Sequence, residues 1–440
     1  MTTDTINQHA ERSLLDNPSS TALASEVLPL HKNRLPSHIP ALDGIRGLAV
    51  ILVLFCHGTQ RPYELLGDEI FNTVFNNGLD KAILSLSRIC FTGVDLFFVL
   101  SGFLITGILF DAKGKSHFFR NFYARRTVRI FPLYYAFLVV TLVIFPHLPA
   151  WLSQGFGERP AGDIWYWIYH SNYAQGYYKQ IGFPTHHILH VSWSLAIEEQ
   201  FYLAWPLVVF CCTRKTLVRV CMGMFTFSML FRIAMFMAGS SALATSFTFG
   251  KLDGLAAGAF IALVARGPEG VRGLVKPAWI VGPLAAAAIA GMVVAMQKLG
   301  YRTGIGQTPG YIMFGGTLFA LLYGALIALT VAAARGALLE KAFSNPFMRM
   351  FGKYSYAIYL FHLPIMVWVA EWWFRPDSIR MGRTLLPGLV LYHLVTTSLS
   401  VAAAWLSWNL MEKHFLKLKD YFPSGAHSEP KLQPAVLTAP

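Results

Sequence analysis

Apolar runs about as long as a bilayer is thick recur along almost the whole chain. They fall near residues 42–58, 91–110, 129–146, 193–212, 217–238, 247–265, 277–296, 311–333, 354–373 and 386–411. At 1.5 Å per residue, about 20 residues of helix cross about 30 Å of hydrocarbon. Within lipid, each backbone N–H and C=O must find its partner inside a helix or a closed barrel. Runs this long and continuously apolar, without strand-like alternation, leave the helix. The expected fold is therefore all-α: a polytopic membrane protein of about ten transmembrane helices. Composition agrees, with 55% hydrophobic and 13% charged residues against roughly 25% charged in soluble domains. The net charge of +13 would suit a nucleic-acid partner. The basic residues sit instead in short loops between apolar runs, where they set topology, so the expected partner is the bilayer and not nucleic acid.

The segment from Asp111 to Arg129 carries Lys113, Lys115, Arg120, Arg125, Arg126 and Arg129 against one acid. The positive-inside rule places it in the cytoplasm, and the alternate loops that follow agree. Both termini are then expected to be cytoplasmic. Residues 1–40 and 413–440 are polar and are expected to be disordered tails flanking a membrane domain over 41–412. The outer segment 146–192, with Trp165, Trp167, Tyr169, Tyr173, Tyr177 and Tyr178, reads as a partly helical flap at the interface. The cysteines, Cys56, Cys90, Cys211, Cys212 and Cys221, lack zinc-site spacing and read as small buried hydrophobes. His186 and His190 share a helical face, but no carboxylate-bearing zinc motif accompanies them, so no metal is expected.

An ionisable side chain inside hydrocarbon costs about 2.5–3.5 kcal/mol or more and marks a functional position by default. Glu198 and Glu199 sit one to two turns inside the fourth run, and Asp95 one turn inside the second. Arg46 and His57, eleven residues apart in the first run, fall about 20° apart around the helix and about 16 Å apart along it. Turn counting from the outer ends puts His57, Asp95 and Glu198 at one level. A His beside a carboxylate is a poised base, because the anion favours the imidazolium formed on proton capture. Either Glu198 or Asp95 could orient His57. Arg126 and Arg129, three residues apart, share a face and read either as a topology anchor or as a phosphate clamp. His362 and His393 read most simply as hydrogen-bonded packing residues.

Five motifs occur in order: Leu42-Asp-Gly-Ile-Arg46 with His57; Gly93-Val-Asp-Leu-Phe-Phe-Val-Leu-Ser-Gly-Phe-Leu-Ile-Thr106; Arg125-Arg-Thr-Val-Arg-Ile-Phe-Pro132; Trp193-Ser-Leu-Ala-Ile-Glu-Glu-Gln-Phe-Tyr202; and Tyr354-Ser-Tyr-Ala-Ile-Tyr-Leu-Phe-His-Leu-Pro364. Together they resemble the acyltransferase-3 family of integral membrane acyltransferases, which includes O-antigen and exopolysaccharide O-acetylases and macrolide acylases. The resemblance covers about residues 42–412. It implies an acyl-CoA donor, by family frequency acetyl-CoA, on the cytoplasmic side, and a hydroxyl acceptor, often a sugar, on the far side of a bacterial inner membrane. It implies that His57 is catalytic and carries Glu198 over as the family's fourth-span glutamate; the expected catalytic set is His57 with Glu198 and Asp95, one of which would orient it. Arg46, Arg125, Arg126 and Arg129 would hold the donor, and Trp193, Tyr202 and His362 would contact substrate. The family's frequent Glu-Lys-Pro at the last span is here Glu412-Lys413-His414, which alters the helix exit. The soluble esterase-like domain of some members is not expected within these 440 residues, and onward transfer by such a domain would then be expected to need a separate protein. The competing expectations are acylation of a small natural product such as a macrolide, a covalent acyl-His intermediate, or a transporter of a sugar or small acid. No inverted repeat of the transporter kind is visible.

Overall fold

The computed structural model describes residues 35–36, 38–64, 78–149, 162–181, 188–299, 308–382 and 384–423. The expected N-terminal tail and His186 lie mostly or wholly outside them. Among the described residues the fold is helical throughout. The long helices are α1 (Pro40–Glu64), α2 (Gly78–Cys90), α3 (Gly93–Ala112), α4 (Phe118–Leu138), α5 (Ser171–Gln180), α6 (Ser192–Cys211), α7 (Arg214–Met237), α8 (Leu252–Ala265), α9 (Arg272–Lys298), α10 (Gly316–Ala332), α11 (Leu338–Ser344), α12 (Pro346–Trp372) and α13 (Leu386–Ser407). Nine segments among the described residues are long and apolar enough to cross a membrane, where ten were expected. The fourth run, the one not among these nine, forms α6, a continuous 20-residue helix. Its consecutive Glu198, Glu199 and Gln200 dilute its apolar character.

Two further boundaries differ from expectation. The basic residues Arg120 to Arg129 are not loop but the first half of α4, so the connection from α3 shrinks to residues 113–117. Arginine is a good helix former, and nothing before Pro132 breaks the pattern. The expected C-terminal tail starts as helix: Lys413–Lys417 and Leu418–Tyr421 continue from α13 through a π segment, Trp408–Glu412. The outer segment supplies α5 and a helical turn, Ile164–Trp167, tied down by the Tyr134 and Tyr135 hydroxyls, which donate to the Tyr166 and Trp167 carbonyls at 2.9 and 3.1 Å.

Lipid tails are as apolar as leucine, so helices in a membrane associate by close packing rather than by the hydrophobic effect. Glycine allows that packing at two seams. α1 runs alongside α12, and α3 alongside α8, each pair parallel. At the first seam a methyl on Gly47 would stand 2.1 Å from the Met348 carbonyl oxygen, and one on Gly352 would stand 1.8 Å from that of Asp43. At the second, Gly254 and Gly258 form a small-xxx-small pair, and a methyl on Gly258 would lie 1.9 Å from the Val99 carbonyl oxygen. The opposite, C-terminal end of the second seam is closed by a bidentate ion pair, Arg266 to Asp111, both contacts at 2.7 Å. A Gly258→Ala variant should therefore part α3 from α8, at the upper end of the about 1–3 kcal/mol that overpacking costs. Detergent size-exclusion profiles and thermal unfolding will show lower stability; an unchanged unfolding temperature would contradict this packing.

Candidate active site

α1, α3, α4, α6 and α12 enclose a cavity of about 110 Å³. Arg46 enters it from α1, Arg126 and Arg129 from α4, and Glu198 and Glu199 from α6. The arginines at 126 and 129 meet because helical neighbours three apart share a face. The guanidinium of Arg126 lies 5.5 Å from the Tyr202 ring centroid and 5.9 Å from that of Phe122. Tyr202 donates from its hydroxyl to Glu198 Oε2 at 3.2 Å, and Ser101 hydrogen-bonds the same tyrosine. Arg46 is held from its own helix by Asp43, with Nη1 3.4 Å from Oδ1. Three guanidiniums face two carboxylates, so with both acids ionised the walls keep one excess positive charge. An enclosed, partly desolvated site of that kind favours an anion, and guanidiniums suit phosphate oxygens.

At the other end of the cavity stands Tyr359, whose hydroxyl hydrogen-bonds Ser194 at 2.6 Å and whose ring centroid is 5.8 Å from that of His362. His362 is fully buried and meets His57: its Nε2 is 2.8 Å from His57 Nδ1. The ring centroids are 5.1 Å apart and the planes differ by 13°. That combination describes two imidazoles edge to edge in nearly one plane, the geometry of an N–H···N hydrogen bond along a lone pair. The parallel pairing of α1 with α12 brings these two side chains together across 305 residues.

The carboxylates are placed differently from expectation. Gly93, at the start of α3, packs on Ala49, Leu52 and Val53 of α1. His57 is four residues further along α1, about 6 Å beyond that contact, while Asp95 lies deeper. The three groups thus do not share a level. Glu198 stands with the arginines. Asp95 accepts from Lys251 Nζ at 3.0 Å and from the Tyr311 hydroxyl at 3.4 Å, and Lys251 lies 5.7 Å from the Trp193 ring. Trp193 therefore roofs a buried ion pair. The described hydrogen bond that orients His57 is made with His362, which was expected as a hydrogen-bonded packing residue or a substrate contact. Arg125 is engaged elsewhere, donating to the Lys419 and Phe422 carbonyls at 3.1 and 2.8 Å.

A second buried ion pair went unread in the sequence. Arg232, 2% exposed, meets Asp253, 3% exposed, at 2.8 Å. Arg232 also donates to Ser228 Oγ, to the Gly250 carbonyl, to Thr317 Oγ1 and to the Met313 carbonyl. Met313 belongs to a π segment, Tyr311–Gly315, where wider turns release carbonyls from the helix ladder. The available signal was Arg232 itself, an ionisable residue within an apolar run. Glu199 was legible beside Glu198, but nothing local marked Tyr356 or Tyr359 as cavity walls.

The family described as acyltransferase domain matches residues 39–409. The peptidoglycan O-acetyltransferase OatA of Listeria monocytogenes is 30% identical over 343 residues, 75% of this chain and 49% of the relative. The putative peptidoglycan O-acetyltransferase YrhL of Bacillus subtilis is 35% identical over 184 residues, 40% of this chain and 24% of the relative. The O-acetyltransferase OatA of Staphylococcus aureus is 28% identical over 359 residues, 78% of this chain and 53% of the relative. The chain spans about half the length of the first and third of these. No solved structure matches.

Proposed function

This chain belongs to the acyltransferase-3 family, and from that premise we propose that it moves an acetyl group from acetyl-CoA to a hydroxyl of a cell-wall carbohydrate. The observation that carries the reading is a cavity walled by Arg46, Arg126 and Arg129 and lined also by Tyr359, whose ring stands against His362, the hydrogen-bond partner of His57. The CoA phosphates bind the guanidiniums, and the thioester reaches towards His57. His57 removes the proton from the acceptor hydroxyl as that oxygen attacks the thioester carbonyl. The C–O bond forms, the C–S bond breaks, and the imidazolium returns the proton to the departing thiolate. A carbohydrate acceptor fits the similarity to relatives described as peptidoglycan O-acetyltransferases. In this reading the donor enters from the cytoplasmic side of the plasma membrane, the side that the positive-inside rule favours for the basic segment bearing Arg126 and Arg129.

The test is transfer in proteoliposomes supplied with labelled acetyl-CoA and soluble peptidoglycan fragments. The expected result is a base-labile ester on the carbohydrate, with one free CoA thiol per ester formed. Failure to consume acetyl-CoA in the presence of acceptor would sink the proposal. The double variant Arg126→Gln, Arg129→Gln should raise the donor KM by about 10–100-fold and change kcat less, the pattern of lost ground-state binding. A donor KM that stays put would remove these arginines from the donor site.

A further inference from the structure

We infer that His362 is a positioning residue that fixes the tautomer of His57, an inference that rests on His57 being the proton acceptor proposed above. The argument is one of donors and acceptors. His362 Nδ1 is 2.8 Å from the Tyr359 carbonyl oxygen and 3.2 Å from that of Ile358. A carbonyl oxygen can only accept, so Nδ1 of His362 carries the proton. A neutral imidazole with its proton on Nδ1 has its lone pair on Nε2. That lone pair faces His57 Nδ1 at 2.8 Å, so His57 must donate from Nδ1. Its own lone pair is then on Nε2, the nitrogen across the ring. The assignment propagates from two backbone carbonyls, which cannot change their role, through a fully buried ring to the base.

The relay also explains why a histidine serves where a carboxylate was expected. A carboxylate would fix the same tautomer and add a second buried charge. A neutral imidazole needs no counter-ion, which matters beside a core cluster of Leu54, Leu363 and Met366. Near-coplanar rings leave His57 little freedom to turn about its Cβ–Cγ bond without breaking the contact.

The experiment compares His362→Phe, His362→Gln and His57→Ala in the acetyl-CoA proteoliposome assay, each checked for folding by size exclusion and thermal unfolding. Phe keeps the ring volume and removes the acceptor. We expect kcat to fall by about 10²-fold with the donor KM unchanged. Gln can place its amide oxygen near the lost Nε2 and its NH2 near the carbonyls, and should recover turnover to within about tenfold of wild type. Wild-type turnover in His362→Phe would overturn the inference, as would a Gln variant as slow as Phe while equally well folded. Should the Phe variant fail to insert, nitrogen magnetic resonance of isotope-labelled histidine in the wild-type protein decides. A proton on His57 Nδ1 supports the relay and a proton on Nε2 overturns it. Failure of the underlying reading looks different: His57→Ala would then retain activity whatever His362 does.

Discussion

His57→Ala will insert and fold but lose about 10³-fold or more of its acyl transfer, with the donor still bound. The loss is this large because neither of the carboxylates expected beside His57 is placed to take the acceptor's proton instead: Glu198 accepts from Tyr202 among the arginines, and Asp95 pairs with Lys251. The substitution also strands the Nε2 of His362, a buried acceptor, at a cost of about 1–3 kcal/mol. His57→Gln separates the two effects, since its amide can still donate to His362 while supplying no base. Both variants should be equally inactive and the Gln variant should unfold at a higher temperature. Donor binding is read from isotherms with a non-reactive CoA thioether. Turnover near wild type in either variant would remove His57 from the chemistry.

The second large effect is on stability. Arg232→Met should cost about 3–5 kcal/mol, because it leaves Asp253 charged, buried and without its principal counter-ion. Asp253→Leu should cost a similar amount for the converse reason. The double variant should be far less damaged than the sum of the two, since a buried ion pair is often matched by apolar residues of similar volume. Thermal unfolding in detergent reads the coupling directly. Strictly additive losses would mean that the two side chains, although 2.8 Å apart, do not stabilise each other.

Much of this architecture could be read before any coordinates. Span positions followed from length and continuous apolarity, and the placement of Arg46 and Glu198 as interior polar groups followed from the price of charge in hydrocarbon. What failed was the inference of common depth. Counting turns from helix ends treats every helix as entering at one height, whereas Gly93 meets α1 at Ala49 to Val53, below His57. The partners of the ionisable groups were equally hidden. Asp95 finds Lys251 across 156 residues and His57 finds His362 across 305. Periodicity reports which face a residue occupies, not which helix will cover that face. Arg125 was grouped with Arg126 and Arg129 by proximity in sequence, yet neighbours one apart point about 100° away from each other on a helix. The C-terminal segment, whose carbonyls engage it, carried no apolar pattern to foretell that contact.

The lateral pairing of the first long helix with one near the carboxyl end has a consequence for biogenesis. At about 5–20 residues per second, the ribosome needs roughly 15–60 s to extend the nascent polypeptide from one imidazole to the other. Throughout that interval the glycine-lined groove of the first helix faces lipid or a transient occupant, and the enzyme has no finished centre. Catalytic competence therefore arrives late in synthesis and all at once, so that a prematurely terminated product lacking residues 346–372 is inserted yet inert.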